Sequence, residues 1–129
     1  MKLLVCGSRT MPRDQLNLVM AEIEILKPKS IICGGAKGAD TLAAFAATLL
    51  RIPCEEFPAD WDKHGKAAGP IRNQQMMEEK PDQVLAFHHV SGITPGTKDM
   101  VTRAVLAKVP VKVVTYGKVA PIKDHSQIP

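Results

Sequence analysis

Apolar runs and polar breaks alternate along this chain in the rhythm of a strand–helix repeat. Lys2–Cys6 is a short apolar run stopped by Gly7-Ser8-Arg9-Thr10. From Pro12 to about Leu26, apolar residues recur at Leu16, Val19, Met20, Ile23 and Leu26, which is the spacing of an amphipathic helix. Ser30–Cys33 reads as a second strand, and Asp40 to Leu50 as a helix rich in Ala and Leu, whose small side chains permit close packing on a sheet. Pro53–Phe57 gives a third strand. A polar loop over Pro58–Pro70, with glycines at Gly65 and Gly69, leads into a helix from about Ile71 to Glu79. Gln83–Phe87 predicts a buried fourth strand, Thr97–Ala107 a helix, and Val111–Thr115 a β-branched fifth strand.

Strands that alternate with helices imply right-handed βαβ units and a parallel sheet covered on both faces. The expected fold is therefore α/β: a single Rossmann-like doubly wound parallel sheet of about five strands in the order 3-2-1-4-5. The domain is expected over residues 1–116, with 117–129 as an extended tail carrying Pro121 and Pro129. With that strand order the switch point falls between the first and fourth strands. Gly7–Thr10 and Pro95–Asp99 then face one crevice at the carboxyl edge, and the Gly34–Asp40 corner borders it.

Composition narrows the chemistry. A chain of 129 residues with 45% hydrophobic content fits one domain with a core of ordinary size. Its net charge of +4 comes from dispersed Lys and Arg, so it offers neither a polybasic tail nor a dense nucleic-acid stripe, and it suits a small anionic ligand. Cys6, Cys33 and Cys54 are odd in number and lack CxxC spacing, which argues for reduced thiols and against a disulfide framework or a zinc site. With no signal-peptide pattern and no membrane-length apolar run, a soluble cytoplasmic protein is expected.

The Ile31–Asp40 stretch, Ile-Ile-Cys-Gly-Gly-Ala-Lys-Gly-Ala-Asp, has the outline of a phosphate-binding corner. Glycines admit close backbone approach, and the free N–H groups of the helix opening near Gly38 would favour an anion. It is not a Walker A loop, because Lys37 precedes Gly38 and Ala39-Asp40 follow where Lys-Ser/Thr would be needed. Nor does Gly34-Gly35-Ala36-Lys37-Gly38 supply the GxGxxG of a dinucleotide fingerprint, so NAD-dependent hydride transfer loses its main support.

Four segments carry a resemblance. They are Gly7-Ser8-Arg9; Gly34 through Asp40; Pro58-Ala59-Asp60-Trp61 with His64-Gly65-Lys66-Ala67-Ala68-Gly69-Pro70-Ile71-Arg72-Asn73; and Gly96-Thr97-Lys98-Asp99-Met100-Val101. Together they resemble the YspA/YpsA-related branch of the SLOG superfamily, which also contains the LOG phosphoribohydrolases and the DNA-processing protein DprA. The likeness runs over roughly Met1 to Val114. It implies a Rossmann-like fold with a pocket for a nucleotide or nucleotide derivative, often in homodimers. LOG enzymes carry a PGGxGTxxE signature whose Glu is catalytic; here Met100 stands at that position, and Asp99 is the only neighbouring carboxylate. Arg72 matches the Arg of the related RK or RN motif.

The residues themselves offer two readings each. Arg9, Lys37 and Arg72 suit phosphate, Arg through paired charge-assisted bonds, or they are solvated cations. Thr97 would give its hydroxyl and N–H to phosphate or cap its helix. Asp40 would cap a helix, hold a ribose hydroxyl or orient Lys37. Trp61 would stack on a base or anchor a lid to the core, and the anchor is the preferred expectation. Met76 and Met77 would supply a dimer surface or, by preference, a core face. His64 reads as a loop hydrogen-bonder, and the adjacent His88 and His89 point to opposite sides of a strand and do not make a metal pair.

The expected ligand set is Gly7, Ser8, Arg9, Gly34, Gly35, Lys37, Gly38, Asp40, Arg72, Asn73, Gly96 and Thr97, with no metal and no cofactor. Two functions follow. In the first, the protein binds a nucleotide-like small molecule for sensing or sequestration. In the second, it is a LOG-like N-glycosidase in which Asp99 stabilises the ribosyl cation or activates water while Arg72 orients phosphate. DNA is not the expected partner, because a modest dispersed charge cannot supply the many phosphate contacts long DNA needs.

Overall fold

In the computed structural model, which describes residues 1–118, five parallel strands form one sheet in the order β3-β2-β1-β4-β5. The strands are β1 (Lys2–Gly7), β2 (Ser30–Cys33), β3 (Cys54–Glu56), β4 (Gln83–His89) and β5 (Val111–Tyr116). The helices are α1 (Leu16–Leu26), α2 (Ala39–Leu50), α3 (Trp61–His64), α4 (Ala68–Glu78) and α5 (Pro95–Leu106). This is the expected Rossmann-like order. Most of the expected tail, from residue 119 onward, lies outside the described residues.

Side-chain alternation along the strands divides the core in two. Leu3 and Val5 of β1 join Ile31, Leu85 and Phe87 beneath α1 and α2, where Val19, Ile23, Ala43, Ala46 and Ala47 close the layer. Leu4 and Cys6 face the other way and join Ile32, Val84 and Ala86 beneath α4 and α5, against Met76, Met77, Met100 and Ala104. Met76 and Met77 are thus core residues. In α2 the buried alanines fall at positions 39, 43, 46 and 47, one helical face without bulk, so the helix lies close on the sheet.

Of the boundaries that differ from the sequence pattern, three bear on the site. The polar segment after β3 contains a short helix, α3, whose start is capped by Asp60 Oδ1 accepting the Lys63 N–H at 3.0 Å. Helix α4 begins at Ala68 rather than Ile71, because Gly69 and Pro70 fall in its first turn, where a missing N–H breaks no helical bond. Helix α5 begins at Pro95, the N1 position that proline favours, with Thr94 rather than Thr97 as its N-cap.

β1 pairs with β2 on one side and β4 on the other, and the connections leaving β1 and β4 run to opposite faces of the sheet. A cleft opens between them at the carboxyl edge. No helix among the described residues is long and apolar enough to cross a membrane.

Candidate functional site

The cleft is a crevice of about 320 Å³ floored by Cys6, Met76 and Met100 and walled by the loops after β1 and before α5. Of the expected ligand set it brings together Gly7, Ser8, Arg9, Asp40, Arg72, Asn73, Gly96 and Thr97. Gly34, Gly35 and Lys37 line an adjoining hollow instead. Gly38 and Asp99 line neither.

Arg72 is the centre of the arrangement. Its position at the start of the second turn of α4 carries the guanidinium under the Gly34 turn, where Nη1 donates to the Gly34 carbonyl at 2.6 Å and Nε to Asn73 Oδ1 at 3.0 Å. Only 8% of the residue is exposed. A side chain at position 34 would strike Nη1 and come within 2.8 Å of Cζ, so glycine is what lets the guanidinium in. Burial lowers the Arg72 pKa, Asp40 opposes that shift, and Arg9 adds to it. No carboxylate among the described residues lies within ion-pair distance of Arg72. Its Nη2 has no protein acceptor among them, and Arg72 lines both hollows.

Asp40 is the one carboxylate among the described residues that lines the crevice, and it is 7% exposed. Burial raises its pKa, against the opposing effects of the Ala36 N–H, which it accepts at 3.1 Å, and of Arg72. Cys6 on the floor is held as a neutral thiol, its pKa pushed well up by burial and then by Asp40, which leaves no thiolate nucleophile there.

Asp99 is turned to another task. Its Oδ2 accepts from Asn73 Nδ2 at 2.9 Å and from Arg103 Nε at 2.8 Å. Burial would raise its pKa, but the bonds from Arg103 and Asn73 outweigh this and lower it. Through Asn73 the carboxylate reaches Arg72, so Gly34, Arg72, Asn73, Asp99 and Arg103 form one hydrogen-bonded chain from the β2 corner across α4 to α5. Met100, 1% exposed, occupies the crevice floor itself.

The glycine corner is built differently from a free phosphate grip. Gly38, at φ +73°, packs against the Ser8–Arg9 backbone, and the Ala39 N–H donates to the Ser8 carbonyl at 3.0 Å. Two of the N–H groups of this corner, those of Ala36 and Ala39, are therefore taken by the protein. Ser8 Oγ is engaged with Thr10 Oγ1 at 2.8 Å, and Thr97 Oγ1 with Thr94 Oγ1 at 3.0 Å, while both residues stay at the crevice wall. Trp61 is not the expected core anchor: it is 47% exposed, with Arg9 Cζ 5.1 Å above its ring. Cys6, Met76 and Met100 escape a search for polar site residues because an apolar residue in a strand or helix reads as core. The Met100 alignment with a catalytic Glu was the one signal for the floor.

Comparison with known proteins agrees with this architecture. The model of the YspA, cpYpsA-related SLOG family matches residues 1–64. Over 86 residues the chain is 37% identical to the Gene 61 protein of Mycobacterium phage D29, across 63% of this chain and 67% of that one. The solved structure of DNA processing protein A (DprA) from Streptococcus pneumoniae superposes with a TM-score of 0.55 at 17% identity, across 86% of this chain. That likeness concerns the fold, and the chain spans only 58% of the DprA chain.

Proposed function

The chain belongs to the YspA, cpYpsA-related SLOG family, and on that premise we propose that its crevice binds a nucleotide or nucleotide-derived small molecule without turning it over. The observation that carries this reading is Arg72. A guanidinium taken out of water is costly unless an anion meets it, and this one keeps donors toward an open cavity with no carboxylate among the described residues at ion-pair distance. A ligand phosphate completes the arrangement. It faces Arg72 and the N-terminus of α5, with Gly7, Ser8, Gly96 and Thr97 around it, while the base lies on the apolar floor and Asp40 holds a ribose hydroxyl.

Binding is favoured over N-glycosidic hydrolysis because the two groups a hydrolase would need are otherwise occupied. Met100 has no proton to exchange, and Asp99 is bonded to Asn73 and Arg103 outside the crevice lining. Asp99 is then a positioning residue for Asn73 and, through it, Arg72. Incubation with a panel of nucleoside monophosphates and mass detection tests this: saturable binding with the nucleotide intact is expected. Base release that disappears in Asp99→Asn would replace the binding reading with the hydrolytic one. The family resemblance also carries a homodimer, for which sedimentation would return twice the chain mass of 14.0 kDa.

A further inference from the structure

The crevice does not end at Arg9. A second hollow of about 460 Å³ runs along the Gly34–Lys37 turn to Pro58 and Trp61, and it shares Arg9, Ala36 and Arg72 with the first. The two compartments differ in character. The first has the apolar floor and Asp40; the second is lined, among the described residues, by Arg9, Lys37 and Arg72 and by no carboxylate. At its rim stands the chain's single tryptophan, at the start of α3 and half in water.

We propose that the ligand is a dinucleotide: one nucleoside in the first compartment, its phosphates passing beneath Arg72 to Arg9 and Lys37, and the second base stacked on Trp61. The inference rests on the nucleotide reading of the first compartment and extends it. Arg72 is the shared element, more than nine-tenths buried, with unpartnered donors at the junction of the two hollows. Arg9, Lys37 and Arg72 are spread along one hollow, so a second phosphate joined to the one at Arg72 finds cationic donors of its own. An indole held at the rim offers any base a π-face, as in platforms that bind bases without regard to sequence. Arg9 now lies over that indole, a weaker partner at an exposed site than phosphate. The phosphates therefore draw Arg9 from the ring and leave a face for the base.

Because Trp61 is the only tryptophan, its emission reports the second compartment directly. The 129-residue chain is titrated with AMP, ADP and diadenosine diphosphate, following emission and heat. Affinity should rise in that order, with the dinucleotide about tenfold or more tighter than AMP, and emission should change with the dinucleotide far more than with AMP. Lys37→Gln and Trp61→Ala should each bring the ratio of dinucleotide to AMP affinity toward one. Equal affinities for the three probes with no emission change would overturn the second compartment and leave mononucleotide binding standing. ADP binding as tightly as the dinucleotide, with no effect of Trp61→Ala on the ratio, would overturn the stacked base. Binding of none of the three would overturn this inference together with the reading on which it rests. The ligand series on the unmodified chain decides the matter even if a variant fails to fold.

Discussion

Arg72 is admitted by the absence of one methyl group. An alanine at Gly34 would strike Nη1, lie 2.8 Å from Cζ and approach Asp40 Oδ2 to 2.9 Å, so the guanidinium and the carboxylate would have to leave their present hydrogen bonds to Gly34 and Ala36. Gly34→Ala should therefore lower stability by about 1–3 kcal/mol, as overpacking does, measured by urea denaturation. It should also weaken nucleotide binding about tenfold, the scale of a lost charge-assisted bond. Asp40 gives the opposite pairing of effects. Its pKa is raised in the folded protein, so between the ordinary value of 3.8 and the folded value the native state holds the proton more strongly, and stability falls as pH rises through that window. Above it the buried charge is a standing cost. Asp40→Asn keeps an acceptor for the Ala36 N–H and should raise the melting temperature at neutral pH, with the gain shrinking as pH falls toward 3.8. If Asp40 holds a ribose hydroxyl, the same variant binds nucleotide less well, so thermal melts and titrations should move in opposite directions.

At the scale of elements, the short helix α3 is held by its cap and sets Trp61 at the rim. Asp60→Ala should cost about 1 kcal/mol and increase the local motion of the indole, read as a fall in tryptophan anisotropy. This helix also marks where the sequence stops being legible. The strands announce themselves through apolar runs, and the rule for parallel connections gives right-handed βαβ units, whereas the order 3-2-1-4-5 is the expectation for a doubly wound sheet and is not fixed by the runs themselves. Four residues, Trp61–His64, are too few to show a helical period, and Pro70 reads as a loop marker although the first turn of α4 accepts it. The polar rim of the crevice was visible in its glycine, arginine and threonine loops. What was not visible is which backbone groups remain free: Gly38 looks like part of a phosphate grip, but its turn is packed on Ser8 and Arg9, and the Ala39 N–H answers the Ser8 carbonyl. Nor could spacing reveal that Asp99 turns sideways to Arg103, since the i,i+4 partner on α5 competes with the crevice for the same carboxylate.

For the whole molecule, the doubly wound sheet places every loop of consequence at one edge, and the charge collected there is small. Arg9, Lys37 and Arg72 are the cations lining the two compartments, so any single-stranded DNA held there should show a salt slope of only about −2, since each neutralised phosphate contributes roughly 0.7. Filter binding across a salt series would show it, and a markedly steeper slope would indicate a broad nucleic-acid surface elsewhere on the molecule. Nucleotide binding itself is tested most directly by calorimetric titration of the unmodified chain and of Arg72→Gln with the four common nucleoside monophosphates, followed by chromatography of the recovered nucleotide. The expected result is saturable one-site heat with at least one of them, an affinity loss of about tenfold or more in Arg72→Gln, and nucleotide recovered intact. Absence of heat with all four or affinity indifferent to Arg72 would contradict a binding site centred on that guanidinium, and free base in the recovered material would contradict binding without turnover.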